Sequence, residues 1–186
     1  MSKTHLAVLG FLNERPMYGY EFPQAIRNRG MNHWAKINLP SVYKAMTTLE
    51  KNGYISGKRI IEGNNPPKKV FKITQSGKKY LRRLVEKNLS DPPAIVDFWL
   101  AVAFMLNLIP KSFVLQAIDN FLNRLKKQEK LHKKLDHLKN DKLNIPFNYK
   151  ILLKFGGNMK QENIKALEEL KKEIQKPENS VFFTEE

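Results

Sequence analysis

The chain has 186 residues, enough for one large domain or for two small ones sharing an interface. Its 33 Lys and Arg against 18 Asp and Glu give a formal charge of +15, which favours a polyanionic partner, nucleic acid first and anionic membrane second. No cysteine is present, which excludes disulfides and thiolate chemistry, and the longest apolar run, residues 94–109, contains Asp97 and Asn107 and falls short of the roughly 20 residues of a bilayer span.

The opening "MSKTHLAVLGFLNERP" passes from a short apolar stretch straight into an amphipathic pattern. That makes a poor signal peptide, so a soluble, cytoplasmic protein with no membrane partner is expected. The positive charge is uneven: residues 1–90 hold 17 Lys/Arg and 5 Asp/Glu, whereas residues 91–186 hold 16 and 13. The change falls at "SDPP" (Ser90 to Pro93), where two prolines discourage helix continuation. Two domains are expected, 1–90 and 91–186.

In chain order, "KTHLAVLGFLNER" carries apolar residues at helical spacing and is closed by Pro16. A second helix is expected through "YGYEFPQAIRNRG", with Pro23 near its start, where a missing amide proton costs least. "MNHWAKI" follows as a connector, with Trp34 and Ile37 expected to pack inward. Asn38 then reads as an N-cap with Pro40 in the first turn, and Val42, Ala45, Met46 and Leu49 form the inner stripe of a third helix that Gly53 stops. "YISGKRII" and "KKVFKIT" are β-branched and aromatic and flank "EGNNPP", so a β-hairpin with a mobile tip is expected. A further amphipathic helix, "QSGKKYLRRLVEKNL", completes a winged helix-turn-helix; Lys78, Lys79, Arg82 and Arg83 on it read as a solvated face. The fold class is therefore mainly α with a small β-hairpin.

Helix-turn-helix modules lay the second helix of the pair into the major groove, where base edges are distinguishable. The third helix turns Ser41, Tyr43, Lys44, Thr47 and Thr48 outward: hydroxyls that donate or accept, methyls that can meet thymine, and a cation for guanine or phosphate. The hairpin adds Lys58 and Arg59 on its first arm and Lys68 and Lys69 on its second, which suits backbone or minor-groove contact. For each polar residue taken singly, the competing reading is a merely solvated helix face.

These residues resemble the PadR family of transcriptional regulators in three ordered stretches: "LAVLGFLNERPMYGYEF" (Leu6 to Phe22), "LPSVYKAMTTLEKNGYI" (Leu39 to Ile55) and "PPKKVFKITQSGKKYL" (Pro66 to Leu81). The resemblance implies a dimeric repressor, acting at a palindromic operator, whose recognition-helix tyrosine touches the DNA backbone. That role falls on Tyr43, with Ser41 and Lys44 beside it. The chain departs from the family pattern at Met46, where leucine is usual, at Tyr18, where histidine is common, and at Leu39–Pro40, which bears on the tilt of the reading helix.

Beyond "SDPP", Ala94 to Leu108 is expected to form an almost all-round apolar helix, buried on more than one side. A long helix from Lys111 to about Lys142 carries a stripe of Val114, Ile118, Phe121, Leu122, Leu125, Leu131, Leu135 and Leu138, which is expected to form a homodimer seam. The competing reading packs that stripe against two later helices, "FNYKILLKFGG", stopped by Gly156–Gly157, and "QENIKALEELKKEIQK". The order of these helices is similar to the branch of the family with a larger C-terminal domain. Such domains often sense a small hydrophobic or aromatic molecule, so Trp34, Phe98, Trp99, Phe104 and Met105 are candidate effector-binding residues, with simple core packing as the alternative.

Catalysis is not expected. His5, His33, His132 and His137 lack ligand spacing, no phosphate-binding glycine loop or nucleophile motif occurs, and no cofactor or metal is called for. The alternatives to a specific regulator are a nonspecific architectural DNA binder and a protein-interaction adaptor on a winged-helix scaffold.

Overall fold

The computed structural model describes residues 3–60, 68–140 and 146–185, with side chains described except at residues 131–140 and 149. The chain divides into two compact units, Met1–Ile109 and Pro110–Glu186. Segment 91–109 thus belongs with the first unit, past the proline pair read from sequence as a boundary.

The first unit opens with α1 (Lys3–Glu14), whose residues Leu6 to Leu12 are all buried, followed by a two-residue strand β1 (Met17–Tyr18) and a 3-10 turn at Gly19–Glu21. Helix α2 (Phe22–Asn28) has Pro23 in its first turn, as expected, and a four-residue helix α3 (Met31–Trp34) follows. The connector therefore holds a short helix of its own. Ile37 packs inward at 3% exposure, but Trp34 does not: it is 40% exposed and its indole Nε1 donates to the Arg29 carbonyl at 3.0 Å.

Helix α4 (Leu39–Lys51) follows its sequence signals closely. Asn38 is extended, its side-chain oxygen accepts from the Ser41 amide at 2.9 Å, and Val42, Ala45, Met46 and Leu49 are buried. Gly53, at φ 70°, supplies the left-handed residue beyond its C-terminus.

Strands β2 (Ile55–Ile60) and β3 (Lys68–Ile73) pair antiparallel; the tip between them, 61–67, lies outside the described residues. The sheet has three strands rather than two, because β1 joins the far edge of β3 through Met17 opposite Phe71 and Tyr18 opposite Val70. Two residues are too short for periodicity to reveal a strand.

Helix α5 (Gln75–Ser90) is capped by Thr74, whose hydroxyl accepts from the Gly77 amide at 3.0 Å and donates to the Gly53 carbonyl at 2.7 Å. Lys78, Lys79, Arg82 and Arg83 on it are exposed, and Arg82 pairs with Glu86.

Helix α6 covers only Ile95–Val102, not the expected Ala94 to Leu108. Beyond it the chain turns so that Phe104 meets Phe11 edge-on with centroids 5.3 Å apart, the Arg29 guanidinium lies over both rings, and Asn107 takes a left-handed φ of 54°. Docking of this aromatic on α1, with an Asn that tolerates the left-handed region, ends the helix where hydropathy would have continued it.

The second unit is an antiparallel pair, α7 (Lys111–Asn140) and α8 (Phe147–Gln175), with a 3-10 segment Pro177–Phe182 after it. Ion pairs between Lys126 and Glu168 (2.6 Å) and between Lys171 and Asp119 (2.5 Å) fix the register. Gly156 and Gly157 lie inside α8 and stop nothing. Each costs about 1 kcal/mol against alanine in a helix interior, but neither takes the positive φ of a stop.

Candidate nucleic-acid interface

The cap at Asn38 sets where α4 begins and therefore which side chains its outward face carries. Tyr43 is 50% exposed, and Lys44, Thr47 and Lys51 are exposed beside it. The Thr47 and Thr48 hydroxyls donate to the carbonyls one turn back, Tyr43 at 3.1 Å and Lys44 at 2.9 Å. Their donors are spent within the helix, so each offers lone pairs and a methyl to a partner.

Ser41 departs from the expected reading role. Its amide is held by Asn38, its hydroxyl donates to the Asn38 carbonyl at 2.7 Å, and Thr4 donates to that hydroxyl at 3.4 Å. It is a part-buried component of the cap that ties α4 to α1.

The four hairpin cations gather at one end of the sheet but lie on two faces. The register puts Lys58 opposite Val70 and Ile60 opposite Lys68 on the outer face, with Arg59 opposite Lys69 on the face that carries Phe71 and Ile55 into the core. Lys58 and Arg59 are exposed, and Lys68 is part-exposed. Lys69 is committed elsewhere: its ammonium lies 2.7 Å from the Glu50 carboxylate at the end of α4 and 5.0 Å from the Phe71 ring centroid. Gly57, opposite Phe71, leaves the space this side chain crosses; a Cβ there would overlap Lys69. Sequence could not foresee the pairing, because Glu50 and Lys69 are brought together by the strand register.

The turn before α2 is pinned as well. Glu21 accepts from the Tyr18 amide at 2.6 Å and from Arg15 at 2.9 Å, and the Arg15 hydrogen bond holds its carboxyl below the usual range. Tyr20, 60% exposed, stacks on Tyr18 at 5.3 Å.

The other candidate sites fare differently. Val114, Ile118, Phe121, Leu122 and Leu125 are buried within the single chain, in line with the alternative in which the stripe is covered intramolecularly. The side chains of Leu131, Leu135 and Leu138 lie outside the described residues. The exposed apolar stripe is instead on α8, where Phe147, Ile151, Leu152, Phe155 and Met159 range from 46 to 79% exposed. Of the effector candidates, Phe98, Phe104 and Met105 are buried in the core, Trp99 packs edge-on against Phe98 at 5.8 Å, and Trp34 stands apart on α3. Among the described residues no three His, Asp or Glu gather to hold a metal ion, and no helix is long and apolar enough to cross a membrane.

The capped helix α4, the helices packed behind it and a three-stranded basic sheet define a winged helix-turn-helix of the DNA-binding class. Residues 8–83 match the model of the Transcriptional regulator PadR-like family. The negative transcriptional regulator PadR of Bacillus subtilis (strain 168) is 23% identical over 123 residues, 66% of this chain and 65% of that protein's length. Uncharacterized protein X of Lysinibacillus sphaericus is 31% identical over 93 residues, 50% of this chain and 84% of that one. The crystal structure of Bacillus subtilis PadR in complex with operator DNA aligns over 92% of this chain and 98% of that chain, with 19% identity and a TM-score of 0.43. The chain belongs to the PadR-like family of transcriptional regulators.

Proposed function

We propose that this protein is a homodimeric repressor that recognises a palindromic operator in double-stranded DNA through α4 and the sheet. The observation that carries the reading is the exposed face of Tyr43, Lys44 and Thr47 on a helix fixed by its Asn38 cap, beside the basic hairpin. In this reading Lys44 and Thr47 meet base edges, Tyr43 donates to a phosphate, and Lys58, Arg59 and Lys68 contact the backbone. The sign of control is carried over from the Bacillus subtilis relative, which is named a negative regulator. Release by a small hydrophobic or aromatic effector is part of the proposal.

The dimer seam moves to α8. Phe147, Ile151, Phe155 and Met159 recur every four residues, with Leu152 beside them, and a run of large apolar side chains this exposed on one helix favours a second copy. The two-fold that results matches two half-sites about one helical turn or a multiple apart.

Genomic fragments bound by the protein supply the operator, and variants then test the roles. Lys44→Ala and Thr47→Ala are expected to change sequence preference, Lys58→Ala to weaken all duplexes alike, and Tyr43→Phe to weaken binding without changing preference. The reverse pattern, with preference following Lys58, would move recognition from α4 to the sheet and refute the assignment.

A further inference from the structure

A hollow of about 470 Å³ opens at the helix-turn-helix junction, where α2, the connector and the first residues of α4 meet. Its floor is apolar: Ile26 and Ile37, both buried, with Pro23 beside them. Two cations, Arg27 and Lys36, stand in its wall. Asn32 also lines it, and the Asn32 Oδ1 atom is buried without a hydrogen-bond partner. Lys36, at the hollow's rim, holds a left-handed φ of 54°, which lysine rarely adopts. An apolar floor and two cations line one volume, within the roughly 300–1,000 Å³ of small-molecule sites, and one residue of that lining, Asn32, carries an unanswered acceptor.

We propose that this hollow binds a small amphipathic anion: an apolar body on Ile26 and Ile37, an acid group toward Lys36 and Arg27, and a hydroxyl donor that answers Asn32. Asn38 and Leu39, the cap and first residue of α4, form the opposite edge, so an occupant changes the tilt of the reading helix. That consequence rests on the DNA-binding reading above; occupancy itself does not.

The test uses the full chain with isotope-labelled Ile and Leu methyls and three probes of one length: 2-hydroxyoctanoate, octanoate and 1-octanol. Saturable shifts at Ile26, Ile37 and Leu39 are expected, with octanoate about two- to fivefold tighter than octanol, the scale of an exposed ion pair. The hydroxy acid should gain a further two- to tenfold or so from one hydrogen bond to Asn32, a gain that Asn32→Leu removes. Lys36→Gln should weaken both acids and leave octanol unchanged. No shift up to about 10 mM, or shifts centred on other residues, would overturn the site, as that concentration limits affinity to under about 3 kcal/mol. So would Lys36→Gln and Arg27→Gln weakening operator binding while acid affinity stays constant, which would assign these cations to phosphate. These titrations contain no DNA, so the site can fail while operator binding stands. In a separate arm 2-hydroxyoctanoate should lower operator affinity in the wild type and not in Lys36→Gln; unchanged affinity at saturation would refute the coupling to α4.

Discussion

Replacing Glu50 by glutamine should make the protein bind DNA more tightly. In the free protein the Lys69 ammonium lies 2.7 Å from Glu50, with the two side chains 40% and 34% exposed. A pair of that exposure is worth about 0.2–1 kcal/mol, which Lys69 must surrender before it can neutralise a phosphate. Each phosphate neutralised steepens the dependence of log K on log salt by about 0.9. Glu50→Gln keeps the size of the side chain, releases Lys69 and removes a negative charge from the end of the reading helix. Affinity at low salt should rise about two- to fivefold per DNA-binding module, with a slope steeper by about 0.9. Conversely, Lys69→Ala should leave the slope almost unchanged, whereas Lys58→Ala should flatten it by about 0.9. Fluorescence anisotropy of a labelled operator over a salt series measures all three, with thermal melts confirming that each variant folds. If Lys69→Ala flattens the slope as much as Lys58→Ala, or Glu50→Gln leaves it unaltered, the ion pair does not restrain Lys69 and the reasoning fails.

Gly77→Ala should lower stability by about 2 kcal/mol or more, since a Cβ there would overlap the Tyr54 backbone carbonyl, which cannot swing aside as a side-chain end can; denaturant midpoints read this, and a cost under about 0.5 kcal/mol would contradict the close approach. Asn38→Ala should cost about 1 kcal/mol as the amide of Ser41 loses its acceptor, and operator affinity should fall with it; an unchanged melting temperature would show that the cap is not a determinant of α4. Phe155→Lys should convert dimer to monomer in analytical ultracentrifugation while leaving the helical circular dichroism intact; a variant that stays dimeric places the seam elsewhere. For Glu21 the folded-state pKa is depressed, so its stabilisation is present above the ordinary glutamate value of about 4.3 and is lost as pH falls through the lower folded value. The stability gap between wild type and Glu21→Gln should therefore shrink below about pH 4, and a gap constant from neutral to acid pH would rule out the carboxylate as its source.

The amphipathic helices and the hairpin were legible in the sequence because each has its own local code. Helix α4 shows this best, with an N-cap, a proline in the first turn, an apolar stripe and a terminal glycine all falling where they were expected. What could not be read depends on tertiary context. Strand β1 exists because β3 offers it an edge, α6 ends where Phe104 finds α1, and Gly156–Gly157 lie within α8 rather than ending a helix. On α4 and the hairpin the residue types did not disclose which side chains are already engaged within the fold. Ser41 turned inward to the cap and Lys69 to Glu50, and only the packing of α1 on α4 and the register of β2 on β3 reveals either one. The apolar stripe of α7 was expected to form a homodimer seam; Val114, Ile118, Phe121, Leu122 and Leu125 are instead covered within their own chain, as in the competing reading, and the exposed stripe lies on α8.

Competition between the selected operator and random duplex of equal length, across a salt series, decides whether this chain is a sequence-specific regulator. Preference for the operator by about 4–10 kcal/mol is expected, together with a slope near −7 if a dimer neutralises about 8 phosphates. Lys44→Ala should erode that preference at individual base positions. Equal affinity for every duplex, whatever the slope, would contradict the account and leave a nonspecific DNA binder in its place.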